Sequence, residues 1–166
     1  MWMKKITWFV LVAVLMLSLV PACAGEKRSW KGKVIKVIDG DSIVVQKGRK
    51  KYEVRLYGID APEYRQSYSR SAKRLLNEKA YRKNVVITPM DVDRYDRVVA
   101  IVEVNGQVVN RELVAAGYAW VYDRYCHKRS LCNRMRQEQV EARKARKGLW
   151  RGSNPEPPWE WKRRKH

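Results

Sequence analysis

Histidine is scarce in this chain: His127 and His166 are the only two in 166 residues. Phosphoryl chemistry built on a histidine pair and histidine-rich zinc sites are therefore excluded as economical readings. A Ser-His-Asp arrangement would have to use His127, which sits in a basic loop. There is no P-loop and no Gly-x-Gly-x-x-Gly run, so nucleotide-cradling glycine loops are absent as well. Acidic residues are also few, 17 against 36 lysines and arginines, giving a net charge of +19. Polar chemistry must then come from Asp, Glu, Arg, Lys and Tyr. The basic excess is spread over 49–55, 65–83, 124–151 and 162–165 rather than held in one tract. That spread predicts a basic surface on a folded domain, and such a surface favours a polyanionic partner. No internal repeats occur.

Cysteine is limited to Cys23, Cys126 and Cys132. The first lies in a leader. Lys4 and Lys5 precede an apolar run from Ile6 to Val20, Pro21 breaks the run, and Ala22-Cys23-Ala24 supplies small residues for cleavage. At about 15 residues the run is short for a membrane span. Residues 1–24 are expected to be a signal peptide, and the protein to be exported, secreted or periplasmic. A lipid on Cys23, which would anchor the protein to a membrane, is the alternative, ahead of a retained anchor. Removing residues 1–24 takes two lysines and no acids, leaving +17. Cys126 and Cys132 then remain as a close pair, and in an oxidising compartment such a pair favours a disulfide. Closing that loop contributes roughly 2 kcal/mol in the chain-entropy picture. A zinc site is the alternative for these cysteines and would need His127 and a fourth ligand.

Trp30 to Ile38, Ser42 to Gln46 and Tyr52 to Ile59 read as three strands of a meander joined at Asp39-Gly40 and at 47–50. Ser67 or Ser69 is expected to cap a helix reaching about Lys83. Val85 to Thr88 and Val98 to Val104 read as two more strands, with Asn105-Gly106 as a hairpin signal before Val108 and Val109. Glu112 to Ala116 is a short helix stopped by Gly117. Leu131, Met135, Glu138, Ala142, Ala145 and Leu149 mark the stripe of a final helix. Residues 153–166 are Pro-rich and then basic, a composition that predicts an extended or disordered tail. The pattern predicts an α+β fold: a five-stranded OB-type β-barrel with one inserted helix and C-terminal helices.

The acidic residues cluster. Asp39-Gly40-Asp41 sits at the first turn and Asp60-Ala61-Pro62-Glu63 at the end of the third strand. In a meander these two points lie at one end of the sheet, so Asp41 and Asp60 can converge. Two carboxylates with backbone carbonyls and water suit calcium; read singly, each is equally a solvated turn aspartate. Arg55 alternates with Tyr52, Val54 and Leu56 and points away from their apolar face, as a surface arginine or as a phosphate fork. Residues 91–96 resemble an EF-hand start but have Asp96 where glycine is needed and Val102 where glutamate is needed.

Val37-Ile38-Asp39-Gly40-Asp41-Ser42, Arg55-Leu56-Tyr57-Gly58-Ile59-Asp60-Ala61-Pro62-Glu63 and Asp93-Arg94-Tyr95-Asp96-Arg97 together resemble, in order and approximate spacing, the three signature segments of the thermonuclease (staphylococcal nuclease-like) family. The likeness runs from about Lys33 to Trp150. Gly148-Leu149-Trp150 is similar to the family's last helix, and Pro157-Pro158-Trp159-Glu160-Trp161 to a tail in bacterial members. The resemblance implies that 25–152 is a staphylococcal nuclease-like domain that cuts DNA and RNA to 3′-phosphorylated products. It implies Ca2+ held by Asp41, Asp60 and the backbone carbonyl of Ala61, with Glu63 activating water. Arg55 and Arg97 would hold the scissile phosphate, Arg94 and Tyr95 a terminal phosphate and base, and Trp120 and Tyr122 would line the nucleotide pocket. Ser42 stands where threonine is usual in the family, and Asp96 where glycine is frequent. No obligate protein partner is implied, and a monomer is expected. The alternative is a non-catalytic nucleic-acid-binding OB-fold module, although all five side chains of the implied chemistry (Asp41, Arg55, Asp60, Glu63, Arg97) are present.

Overall fold

The computed structural model describes residues 28–164. The expected signal peptide, Cys23 and His166 lie outside the described residues. β1 (Trp30–Val37), β2 (Ser42–Lys47) and β3 (Lys50–Leu56) form the antiparallel meander. A two-residue β4 (Ile59–Asp60) follows, then helix α1 (Ser69–Ala80). β5 (Asn84–Val92) pairs antiparallel with β1 and with β6 (Val98–Val104). β6 then lies parallel to β3, Val54 opposite Val98 and Leu56 opposite Ala100, and this pairing closes the five long strands into a mixed barrel. β7 (Gln107–Val108) makes a short hairpin with β6. Helix α2 (Val109–Ala115), β8 (Trp120–Val121), helix α3 (Arg129–Lys144) and helix α4 (Pro158–Arg164) complete the order, with 3-10 turns at 123–125 and 148–151.

The barrel is filled by alternate strand residues. Val34, Ile43, Val45, Val54, Leu56, Val85, Ile87 and Val102 are all buried, and α1 adds Ala72, Leu76 and Ala80. Val54 and Leu56 point inward while Arg55 between them points to the other face, as period two requires. Asn110 is a fully buried polar residue within this packing. Its side-chain oxygen accepts the Val102 N–H, and its amide donates to the carbonyls of Tyr57 and Ala100.

Three expectations are corrected. α1 begins without a serine cap: Tyr68 occupies the cap position in the left-handed region at φ 66° with no side-chain cap bond. Val109 opens α2 instead of extending the preceding strand. The tail is not extended throughout, because 158–164 form α4. Its start and end follow ordinary helix rules, with Pro158 at the first helical position and Lys162, Arg163 and Arg164 in the last turn. Among the described residues no helix is long and apolar enough to cross a membrane.

Candidate active site

The site forms where the β1–β2 turn meets the end of β3 and β4. Gly40 lets them approach. A Cβ there would lie 2.6 Å from the Ala61 Cβ and 2.8 Å from the Ala72 Cβ. With no side chain in the way, Asp41 reaches across, and its Oδ2 accepts the Ala61 N–H at 2.6 Å. Asp39 Oδ1 accepts the Asp41 N–H, and the Ser42 hydroxyl donates to Asp41 Oδ1. The two aspartates are thus brought together, with Arg55 between them. Its Nη1 lies 2.5 Å from Asp41 Oδ2 and its Nη2 2.6 Å from Asp60 Oδ1. Asp60 is fully buried, and its Oδ2 has no hydrogen-bond partner.

The Asp41 carboxyl is raised from 3.8 to about 7: burial is the largest cause, Arg55 works against it, and Asp39 and Asp60 add to the rise. Burial raises Asp60 in the same way, against the pull of Arg55 and Lys162. Burial works against charge on Arg55, but Asp41 and Asp60 outweigh it, so the guanidinium is held above its ordinary value. The pocket therefore holds more carboxylate than its one central guanidinium balances.

These residues suit a hard cation. The donors are carboxylate and backbone oxygens, and Asp60 Oδ2 is a buried acceptor with nothing to accept. Among the described residues no group of three or more His, Cys, Asp or Glu side chains gathers at one point. A cation here would rest on Asp41 and Asp60 with backbone oxygens and water. The zinc alternative at the cysteines is removed, since Cys126 and Cys132 are joined as a disulfide. That disulfide packs where Gly58 leaves room, a Cβ there lying 2.6 Å from Cys126 Sγ.

Glu63 is half-buried, and Lys162 bridges it to Asp60. The Glu63 backbone N–H donates to Gln66 Oε1, which fixes the turn after Pro62. Arg97 extends the β6 side. It precedes the first β3–β6 pair, Val54 opposite Val98, and its Nη1 lies 3.9 Å from Oε1 of Glu53, two residues along β3 from Arg55. Asp93 holds it, accepting from its backbone N–H at 3.0 Å and from Nε at 2.7 Å. Arg94 and Tyr95 lie on the exposed turn between β5 and β6, Arg94 donating to the Tyr95 hydroxyl at 2.7 Å. Asp96 sits in the left-handed region at φ 61°, which is the physical reason glycine would be frequent there.

β8 carries the aromatic side of the site. Trp120 pairs with Asp60 across the β4–β8 ribbon, which ties it to the carboxylates. The Trp120 ring is buried against Trp150 at 4.3 Å, with Arg143 over it at 5.1 Å. It also lines a cleft of about 270 Å³ together with Pro62, Gln66, Tyr68 and Trp161. Tyr122 is half-buried and covered by Trp159.

Sequence reasoning missed three residues at this site: Gln66, Trp159 and Lys162. Lys162 Nζ lies 2.8 Å from Glu63 Oε1 and 3.5 Å from Asp60 Oδ1. Gln66 donates to the Glu156 carbonyl at 2.7 Å and so links the Glu63 turn to the tail. The available signal was Trp159 and Trp161, two large aromatics in a segment otherwise suited to solvent.

A sequence profile for the family described as "Staphylococcal nuclease homologue" matches residues 53–152. A Haemophilus influenzae protein named "Uncharacterized endonuclease" is 36% identical over 151 residues, covering 90% of this chain and 82% of its own length. An Escherichia coli protein of the same name is 40% identical over 135 residues, covering 81% and 86%. A Shigella flexneri protein named "Micrococcal nuclease" is 36% identical over 163 residues, covering 93% and 90%.

Proposed function

The chain belongs to the staphylococcal nuclease family, and from that premise we propose that it is a calcium-dependent nuclease that hydrolyses phosphodiester bonds in DNA and RNA to 3′-phosphorylated products. The observation that carries this reading is the Asp41–Arg55–Asp60 cluster with Glu63 at its edge. A binding-only barrel has no use for two buried carboxylates, one of them with an oxygen left unpartnered.

Calcium bound at Asp41, Asp60 and the Ala61 carbonyl would polarise a phosphoryl oxygen and orient the attacking water. Glu63 takes the proton from that water as general base. Arg55 and Arg97 are the guanidiniums on the site's face, and they favour the extra negative charge of the phosphoryl transition state; one such donor is worth about 10²–10³ in rate. Arg94 and Tyr95 on their exposed turn bind the terminal phosphate and base, and Tyr122 with Trp120 lines the pocket for the nucleotide. Stacking on an aromatic tolerates any base. Export is supported by the Cys126–Cys132 bond, which an oxidising compartment maintains.

The test is plasmid and RNA cleavage by the pure protein in calcium, in chelator, and with Glu63→Gln. Cleavage in calcium is expected to vanish in chelator. Glu63→Gln is expected to slow single-turnover cleavage by about 10² or more while leaving nucleic-acid binding near normal. Full activity in excess chelator would remove calcium from the reading, and DNA binding without any cleavage would return the protein to the binding-module class.

A further inference from the structure

Helix α4 bears on the site through contacts that the chemistry above does not use. Lys162 carries the ammonium at Glu63 and Asp60. Trp159 lies flat on Tyr122, ring centroids 5.0 Å apart and planes 5° apart, and its edge meets Trp120. Pro158, which opens the helix, is buried. The lead-in to the helix is pinned by Gln66 to the Glu156 carbonyl, and Arg164 closes back on Glu156 at 2.6 Å.

Each of the two central contacts imitates a ligand. The ammonium gives Asp60 and Glu63 the positive charge that a divalent cation would give them. The indole gives Tyr122 the flat partner that a base would give it. The hold is nevertheless slight. Lys162 remains 47% exposed, and a helix of seven residues is marginal without its packing.

We propose that α4 is a displaceable plug of the nuclease site, with Lys162 standing in for the cation at Asp60 and Glu63 and Trp159 for a nucleobase on Tyr122. The inference rests on the calcium reading above and adds its regulation. Asp60 already shares Oδ1 between the Arg55 guanidinium at 2.6 Å and the Lys162 ammonium at 3.5 Å, and a divalent cation added as a third positive group within a few ångströms would repel the more exposed, more weakly held ammonium strongly in this buried setting. Cation binding therefore lifts the helix, and the same movement frees Glu63 to act on water and Tyr122 to stack on a base. The apparent calcium affinity is reduced by the fraction of time the plug is open.

The experiment uses the full-length chain and calcium chloride alone. Calcium affinity is measured by calorimetry for the natural protein, Lys162→Gln and Lys162→Arg. Amide exchange of the 158–164 peptide is followed with and without calcium. The expected result is binding about tenfold tighter in Lys162→Gln, affinity near the natural value in Lys162→Arg, and faster exchange across 158–164 in the natural protein once calcium is added. Equal affinity in all three proteins overturns the plug and leaves the calcium site standing. Tighter binding without faster exchange also overturns it, because Lys162 would then act only as a local charge. Binding in none of the three overturns the calcium reading and the plug together.

Discussion

Arg55 is the residue on which the site's metal-free integrity depends. It is the guanidinium shared by Asp41 and Asp60, both buried. Removing one partner of a buried ionic group costs about 3–5 kcal/mol, since the charges left behind are uncompensated. Arg55→Ala is expected to melt about 10 °C lower in chelator, on the scale that links stability to melting temperature in a domain of this size. Calcium is expected to recover much of that loss, because it supplies the missing positive charge. Thermal melts of both proteins with and without calcium check this, and an Arg55→Ala melt that ignores calcium would count against a cation site there. The pairing of Asp41 with Asp60 was legible from the meander, whose geometry puts both at one end of the sheet. The position of Arg55 between them was not. Parity tells which face a side chain leaves from, but not that two carboxylates will hold it between them. Gly40 was legible only as a turn residue, whereas its part in the fold is to let the Ala61 and Ala72 methyls come close.

The turn between β5 and β6 works as a unit because Asp93 gathers its donors. The carboxylate accepts the N–H groups of Tyr95 and Arg97 and the Arg97 guanidinium. Burial pushes the Asp93 carboxyl up, but these hydrogen bonds from Arg97 and Tyr95 outweigh it and hold the group below its ordinary 3.8. A depressed carboxyl stabilises the fold fully above the unfolded value, and that contribution is lost as pH falls through the lower folded value. Asp93→Asn is therefore expected to be less stable by about 1–2 kcal/mol at pH 7, with the difference shrinking at pH 3 and below. Urea unfolding of both proteins at the two pH values decides it, and an equal deficit at both would mean that charge on Asp93 plays no part. Most elements of this size were legible, because strand alternation and a helical stripe are strong periodic signals, although the stripe of α3 stops at Ala142: Ala145 is exposed past the helix end and Leu149 lies in the 3-10 turn at 148–151. α4 was not, although Pro158 and the basic residues at its end are ordinary helix signals. Composition averaged over 153–166 hides a helix only two turns long, and its stability comes from Trp159 and Lys162 meeting residues far back in the chain.

Over the whole molecule the charges separate by position. Asp41 and Asp60 are enclosed, while Lys31, Lys33, Lys36, Lys47, Arg49, Lys50, Lys51, Arg70, Lys73, Arg74, Lys128, Arg129 and Arg134 are exposed. Such a field draws a polyanion in, and each phosphate contact releases counterions. Binding of a Glu63→Gln variant to DNA is expected to weaken with salt at a log–log slope steeper than about −3, the value for roughly three phosphate contacts. Titrations between low and physiological salt measure it, and a slope near zero would separate the basic surface from nucleic-acid binding.

The parallel pairing of β3 with β6 also has a consequence in time. Residues 54–56 wait for residues 98–100 before the barrel can close, and Asp60 waits for Trp120 before its short ribbon exists. Contacts this distant along the chain form late and slowly. A chain still being made carries Asp41, Asp60 and Glu63 but has no barrel to aim them. Assembly of the carboxylate cluster is thus deferred until the chain has been made at least as far as Val121, and a nascent polypeptide shorter than that has no ordered site.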